Sequence, residues 1–156
     1  MQQGNASQLK LLKLYVKEAS FEMPEGSKVF QEQWAPELNV ELHTATKALA
    51  EKNTHDVVLT IKCTVTNQDK AAFQVEVKQA GIFEVVAQNE SELHRALGTI
   101  CPNILYPYVR EVVSSCVLKA GFPRLWLAPV NFDLIYAQQL QQTQGNAHVP
   151  ANDETK

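Results

Sequence analysis

The chain has 156 residues, 45% of them hydrophobic and 20% charged, which suits one domain with a continuous core rather than a disordered or membrane-embedded protein. Its formal charge of -3 comes without the clustered Lys and Arg that neutralise phosphates, so no nucleic-acid partner is expected. Lys10, Lys13 and Lys17 interrupt the only apolar stretch near the N-terminus, and no run of about 18 apolar residues follows. The expectation is a cytoplasmic chain with no leader and no direct membrane insertion.

The first half reads as strands. Leu12, Leu14 and Val16 alternate with Lys13, Tyr15 and Lys17, and the apolar set then moves to Ala19, Phe21 and Met23, of opposite parity. A bulge near Lys17-Glu18 accounts for that change. Pro24 to Pro36, with Gly26, Phe30 and Trp34, is too long for a hairpin and reads as a crossing loop. Large aromatics on such a loop need a surface to bury them. Leu38, Val40 and Leu42, and then Val57, Leu59, Ile61, Cys63 and Val65, give the two clearest period-two patterns. A turn at Asn67-Gln68-Asp69-Lys70 leads to a fourth strand, 72–86, with Phe73, Val75 and Val77 facing one way. The short links favour antiparallel neighbours.

After Asn89 the period changes. Asn89 with Glu92 resembles a capping box, followed by Leu93, Ala96, Leu97 and Ile100 at helical spacing. Pro102 and Pro107 interrupt the pattern, which resumes to Lys119 with Gly121 placed as a C-terminal cap, so the spacing predicts one kinked helix or two in tandem. Asn131 can cap a last short helix to Leu140 with a stripe of Phe132, Ile135, Tyr136 and Leu140. The expected organisation is a flexible N-terminus over 1–8, one α+β domain over 9–140, and a flexible tail over 141–156 that is rich in Gln, Asn, Asp, Ala and Thr.

Catalytic signatures are missing. There is no Gly-x-Ser-x-Gly elbow, no Gly-rich phosphate loop, and no metal-ligand spacing among His43, His55, His94 and His148, so neither a cofactor nor a metal is expected. His94 and Cys101 lie seven residues apart, about two helical turns, but the plainer reading is a core thiol near a surface histidine. Cys63, Cys101 and Cys116 are odd in number and suit buried thiols in a reducing compartment. Glu18, Ser20 and Glu22 alternate on one strand face and Glu76 lies on the polar face of the fourth strand, which the pattern alone reads as solvated sheet. Phe30, Trp34, Pro102, Tyr106, Pro107, Tyr108 and Tyr136 fall on loops and helix interruptions, where a groove forms more easily than a sheet-packed core.

Cys101-Pro-Asn-Ile-Leu-Tyr-Pro-Tyr-Val-Arg-Glu111 resembles the helix-break motif of the SecB protein-export chaperones, and Leu127-Ala-Pro-Val-Asn-Phe-Asp133 is similar to the segment before their last helix. Further similarity runs through Tyr15 to Pro24, Phe30 with Trp34-Ala-Pro-Glu37, and Gly81-Ile-Phe83, so it spans about Tyr15 to Gln142. The resemblance implies a four-stranded antiparallel sheet with helices on one side, assembled as a homotetramer built from two dimers. It implies no enzyme but an ATP-independent chaperone that binds unfolded preproteins and passes them to the motor SecA. Trp34, Pro102, Tyr108 and Tyr136 match the family's peptide groove, to which Phe30 and Tyr106 are added by their position. Glu18, Glu22 and Glu76 match its acidic surface for SecA, and Val75, Val77 and Gln79 its assembly face. A SecB-like chaperone dedicated to a toxin–antitoxin pair is the alternative, and an unrelated small-molecule enzyme a third reading.

Overall fold

Period-two alternation becomes four strands, β1 (Gln8–Glu22), β2 (Pro36–Ala48), β3 (Thr54–Asn67) and β4 (Lys70–Val86), in a computed structural model that describes residues 8–147. They form one antiparallel sheet in the order β1-β4-β3-β2. The β3–β4 hairpin closes through Gln68 and Asp69 at φ 51° and 65°, the left-handed pair that matches the twist of the strands it joins.

The register of β1 against β4 shifts between Val16 and Glu18, which places the expected bulge at Lys17. Beyond it Ala19 pairs with Val77 and Phe21 with Val75 on the inner face, while Glu18, Ser20 and Glu22 turn outward. A second shift, between Leu11 and Lys13, corrects the reading of the first strand: Leu12 is the bulged residue, and Leu9, Leu11 and Leu14 pack on the core. Two adjacent leucines hide the change of parity in the sequence.

Asn89 caps α1 (Glu90–Arg95), its Oδ1 accepting from the Glu92 N–H at 2.9 Å, and the Glu92 carboxylate accepts in return from the Gln88 N–H at 3.2 Å. The expected proline break takes another form. A π-turn over Ala96–Ile100 carries α1 into α2 (Cys101–Lys119), Pro102 sits in the first turn of α2 where its missing N–H costs little, and α2 continues through Pro107. Gly121, at φ 95°, ends that run. Asn131 caps α3 (Phe132–Ala147), with its Oδ1 accepting from the Leu134 N–H at 3.1 Å. Thus α3 outlasts the expected end at Leu140. Residues 1–7 and 148–156, which hold most of the two expected flexible ends, lie outside the described residues. Among the described residues, no helix is long and apolar enough to cross a membrane.

The core lies between α2 and the inner face of β3 and β4: Leu59, Ile61, Cys63, Val75, Val77 and Phe83 beneath Leu105, Val109, Val113 and Val117, all fully buried. Gly81 lets the helix come close, since a Cβ there would stand 3.2 Å from Leu105 Cδ2 and 2.8 Å from the Phe83 ring. One helix, about 10 Å across, cannot cover four strands spaced about 4.8 Å apart. The inner faces of the edge strands are left partly bare. Leu38 and Val40 on β2 are 43% and 38% exposed.

Candidate functional site

The crossing loop is a short 3-10 turn, Gly26–Gln31, anchored by buried Val29. Its aromatics meet a ring that the sequence did not single out. Phe122, just past α2, contacts Phe30 at 5.1 Å between centroids, Trp34 at 5.3 Å and Phe73 at 4.6 Å, and Phe73 stacks on Phe21 at 5.3 Å. Phe122 and Phe73 are buried, while Phe30 and Trp34 remain 52% and 37% exposed. Each of those two therefore packs one side on the protein and presents the other.

Trp34 is held by its neighbours in sequence. The Asn67 side chain, almost fully buried at the end of β3, accepts from the Ala35 N–H at 2.8 Å and donates from Nδ2 to the Gln33 carbonyl at 3.1 Å. An ion pair between Lys70 and Glu32 at 3.5 Å lies beside it.

From Phe122 the chain runs back along α2 to Phe132, tied by the Ser114 hydroxyl donating to the Leu125 carbonyl at 3.3 Å and the Tyr106 hydroxyl donating to the Ala128 carbonyl. Tyr106 and Pro102 are buried, with the Tyr106 ring edge-on to Phe132 at 5.9 Å. The expectation that the prolines lift Tyr106 out of ordinary packing is corrected, because α2 is unbroken there. Burial pushes the Tyr106 hydroxyl up in pKa, partly offset by the Arg110 guanidinium. Tyr108, two residues on and so on another side of the helix, is half exposed.

Tyr136 lies against the π-turn, where a Cβ on Gly98 would stand 2.8 Å from its Cδ2. It lines a cleft of about 450 Å³ together with Leu42, Leu97, Phe132 and Ile135. The six groove candidates therefore separate into two surface patches, Phe30 with Trp34 at one end of α2 and Tyr136 in its cleft towards the other, with Pro102 and Tyr106 buried and Tyr108 exposed on another side of the helix. Leu38 and Val40 connect them. They precede Leu42 on the same face of β2, so an apolar strip runs from Trp34 along the bare edge strand into the Tyr136 cleft. Alternation marked these residues as one face of a strand; it could not show that the other described residues leave them partly exposed.

On the outer face, Glu18 pairs in register with Lys78, Ser20 with Glu76 and Glu22 with Gln74, so the three carboxylates share one surface. It is mixed in charge: Glu18 and Lys78 form an ion pair at 3.4 Å, and Lys62 faces Glu76 from β3. Nearby, the Tyr15 hydroxyl donates to Asp56 Oδ1 at 2.7 Å, which with burial pushes Tyr15 up to about 12. Val75, Val77 and Gln79 lie on the opposite face, buried within the chain's own core under α2. Gln79 Nε2 donates to the Tyr15 carbonyl at 3.0 Å, and its Oε1 is buried without a partner among the described residues. These three form no free surface among the described residues.

Burial pushes the Cys63 and Cys101 thiols up to about 11 and 12, which leaves both protonated and unreactive at neutral pH. Among the described residues no three His, Cys, Asp or Glu side chains gather to hold a metal ion.

A family model described as "Preprotein translocase subunit SecB" matches residues 2–143. "Protein-export protein SecB" of Legionella pneumophila (strain Philadelphia 1) is 47% identical over 154 residues, covering 99% of this chain and 93% of that one. The protein of that name from Pseudomonas fluorescens is 47% identical over 140 residues, covering 90% and 87%. Among solved structures, a Mycobacterium tuberculosis SecB-like chaperone in complex with a ChAD peptide from an antitoxin has a TM-score of 0.66 at 20% identity, covering 79% of this chain and 91% of that chain. This likeness concerns the fold.

Proposed function

The chain belongs to the SecB family, and from that premise we propose that it is an ATP-independent holding chaperone that binds unfolded preproteins in the cytoplasm and delivers them to SecA for export. The observation that carries this reading is the uncovered apolar strip from Trp34 over Leu38 and Val40 to the Tyr136 cleft. Its shape suits an extended segment: aromatic rings at both ends accept varied apolar side chains, and the open edge of β2 offers backbone N–H and C=O groups whatever the client's sequence.

Neither nucleotide nor catalysis is required. A protein that binds unfolded chains and not folded ones draws the folding equilibrium towards the unfolded state by mass action. Assembly as a homotetramer, a dimer of dimers, would set several such strips on one particle and add avidity. The outer face with Glu18, Glu22 and Glu76 supplies the surface for SecA, on the other side of the sheet from the client strip. A role dedicated to an antitoxin has less behind it, since the antitoxin-bound relative is only 20% identical while the export protein of Legionella pneumophila is 47% identical.

The test is to dilute a denatured secretory precursor into buffer with and without excess protein and follow its refolding. Arrest or strong slowing is expected; refolding at an unchanged rate would remove the proposal.

A further inference from the structure

The outer sheet face that holds Glu18, Glu22 and Glu76 is a grid whose rows are fixed by strand register. One row reads Glu41, Lys62, Glu76 and Ser20 across β2, β3, β4 and β1, and the next reads His43, Thr60, Lys78 and Glu18. Residues directly opposed on one face stand about 5 Å apart at Cβ, within reach of one another's charges. Lys62 therefore sits between two carboxylates. Lys78 closes on Glu18 at 3.4 Å, with the lysine side chain 33% exposed and the glutamate 56%. Both lysines belong to the two central strands, whose backbones are held from either side, so neither can swing away with its strand.

Glu22 differs. Its row is Asn39, Thr64, Gln74 and Glu22, in which no other side chain is charged. The three carboxylates matched to the partner surface are thus unequal: Glu22 is open, while Glu18 and Glu76 each have a lysine directly opposite. A cationic side chain that approaches Glu18 or Glu76 from outside must displace that lysine and meets the repulsion of a like charge.

We propose that Lys62 and Lys78 set the strength and selectivity of docking on this face: they hold Glu76 and Glu18 in internal pairs, so that a partner presenting basic side chains takes Glu22 first and gains the other two carboxylates only by displacing the lysines. The inference rests on the reading of this face as the surface for SecA and adds to it two residues that oppose docking. A partner with one isolated cation is held weakly, whereas one that offers several at once replaces both internal pairs.

The experiment titrates purified SecA against the full chain by calorimetry at about 0.15 M salt, where charges more than about 8 Å apart are largely screened. Lys78→Gln and Lys62→Gln are each expected to tighten binding about twofold to fivefold, the range that exposed ion pairs span. Lys78→Arg, which keeps the charge, should bind as the wild type does. Lys47→Gln removes the same charge from the same face, six residues along β2 from Glu41 and so about 20 Å away, and should leave affinity unchanged. Glu18→Gln should cost less affinity in the wild-type background than in Lys78→Gln, because only in the latter is the Glu18 carboxylate open from the start. Tightening by Lys47→Gln to the same extent, or an equal cost of Glu18→Gln in both backgrounds, would reduce the effect to net charge and overturn the inference. Unchanged or weaker binding in both lysine→Gln variants would overturn it while leaving the SecA reading in place; no binding of SecA to the wild-type chain would overturn both.

Discussion

Asn67 holds Trp34 from both sides through its backbone: one carboxamide accepts from the N–H that follows the tryptophan and donates to the carbonyl that precedes it. A buried side chain at a strand end thus fixes the half-exposed ring at the mouth of the apolar strip. Asn67→Ala leaves a buried amide and carbonyl without partners, at a cost of about 1–3 kcal/mol. A lower urea midpoint is expected, with client affinity reduced while Trp34 itself is intact. Unchanged client affinity would mean that the loop holds its place by packing on Phe122 alone.

Trp34→Ala removes the ring and should cost about 2 kcal/mol of client binding, roughly thirtyfold, as aromatic anchors do. Particle mass by light scattering should not change. A variant that dissociates would reassign Trp34 to assembly.

The Tyr136 end depends on the absence of a side chain at Gly98. Gly98→Ala puts a methyl within 2.8 Å of the Tyr136 ring, so the ring must turn away or α3 must shift, at a cost of about 1–3 kcal/mol. Faster proteolysis within 132–147 is the expected readout, and an unchanged cleavage pattern would show that α3 does not rely on this contact.

Glu18→Lys together with Glu76→Lys reverses two of the three carboxylates on the outer face. SecA binding should fall, and more so at low salt, with client retention little changed because the strip lies on the other side of the sheet. Equal loss of both would mean that the substitutions disturb the fold through the Glu18–Lys78 and Lys62–Glu76 neighbours.

Alkaline pH offers a separate check on the core. Cys63 and Cys101 are raised from 9.0 to about 11 and 12, and Tyr15 from 10.0 to about 12, so the folded state keeps protons that the unfolded state releases. Their contribution is complete below pH 9 for the thiols and pH 10 for the phenol, and is lost as pH rises towards 11–12. The urea midpoint should fall steadily above pH 9, and Tyr15→Phe should flatten the part of that fall above pH 10.

Local chemistry was readable in the sequence. The parity change at Lys17, the caps at Asn89 and Asn131 and the turn at Gln68-Asp69 all follow from rules spanning a few residues, and all are present. The shared face of the three carboxylates followed too, since the Lys17 bulge is what sets Glu18 and Glu22 outward beside Glu76. Relationships across the fold were not readable. The clamp of Asn67 on a loop 34 residues away, and the place of Phe122 between Phe30 and Trp34, depend on tertiary approach that no spacing encodes. Tyr106 misled because prolines usually break helices, whereas here the π-turn and the first-turn position of Pro102 absorb the disruption. Leu38 and Val40 carry an ordinary strand pattern, and only the width of one helix over four strands leaves them bare.

The central claim, that unfolded clients lie along the strip from Trp34 to Tyr136, is tested most directly by backbone hydrogen exchange of the full chain with and without a saturating unfolded precursor. Slowed exchange in 30–42 and 132–140, with the outer-face segment 18–22 unaffected, is the predicted footprint. Protection confined to the outer face, or none in 30–42, would contradict it.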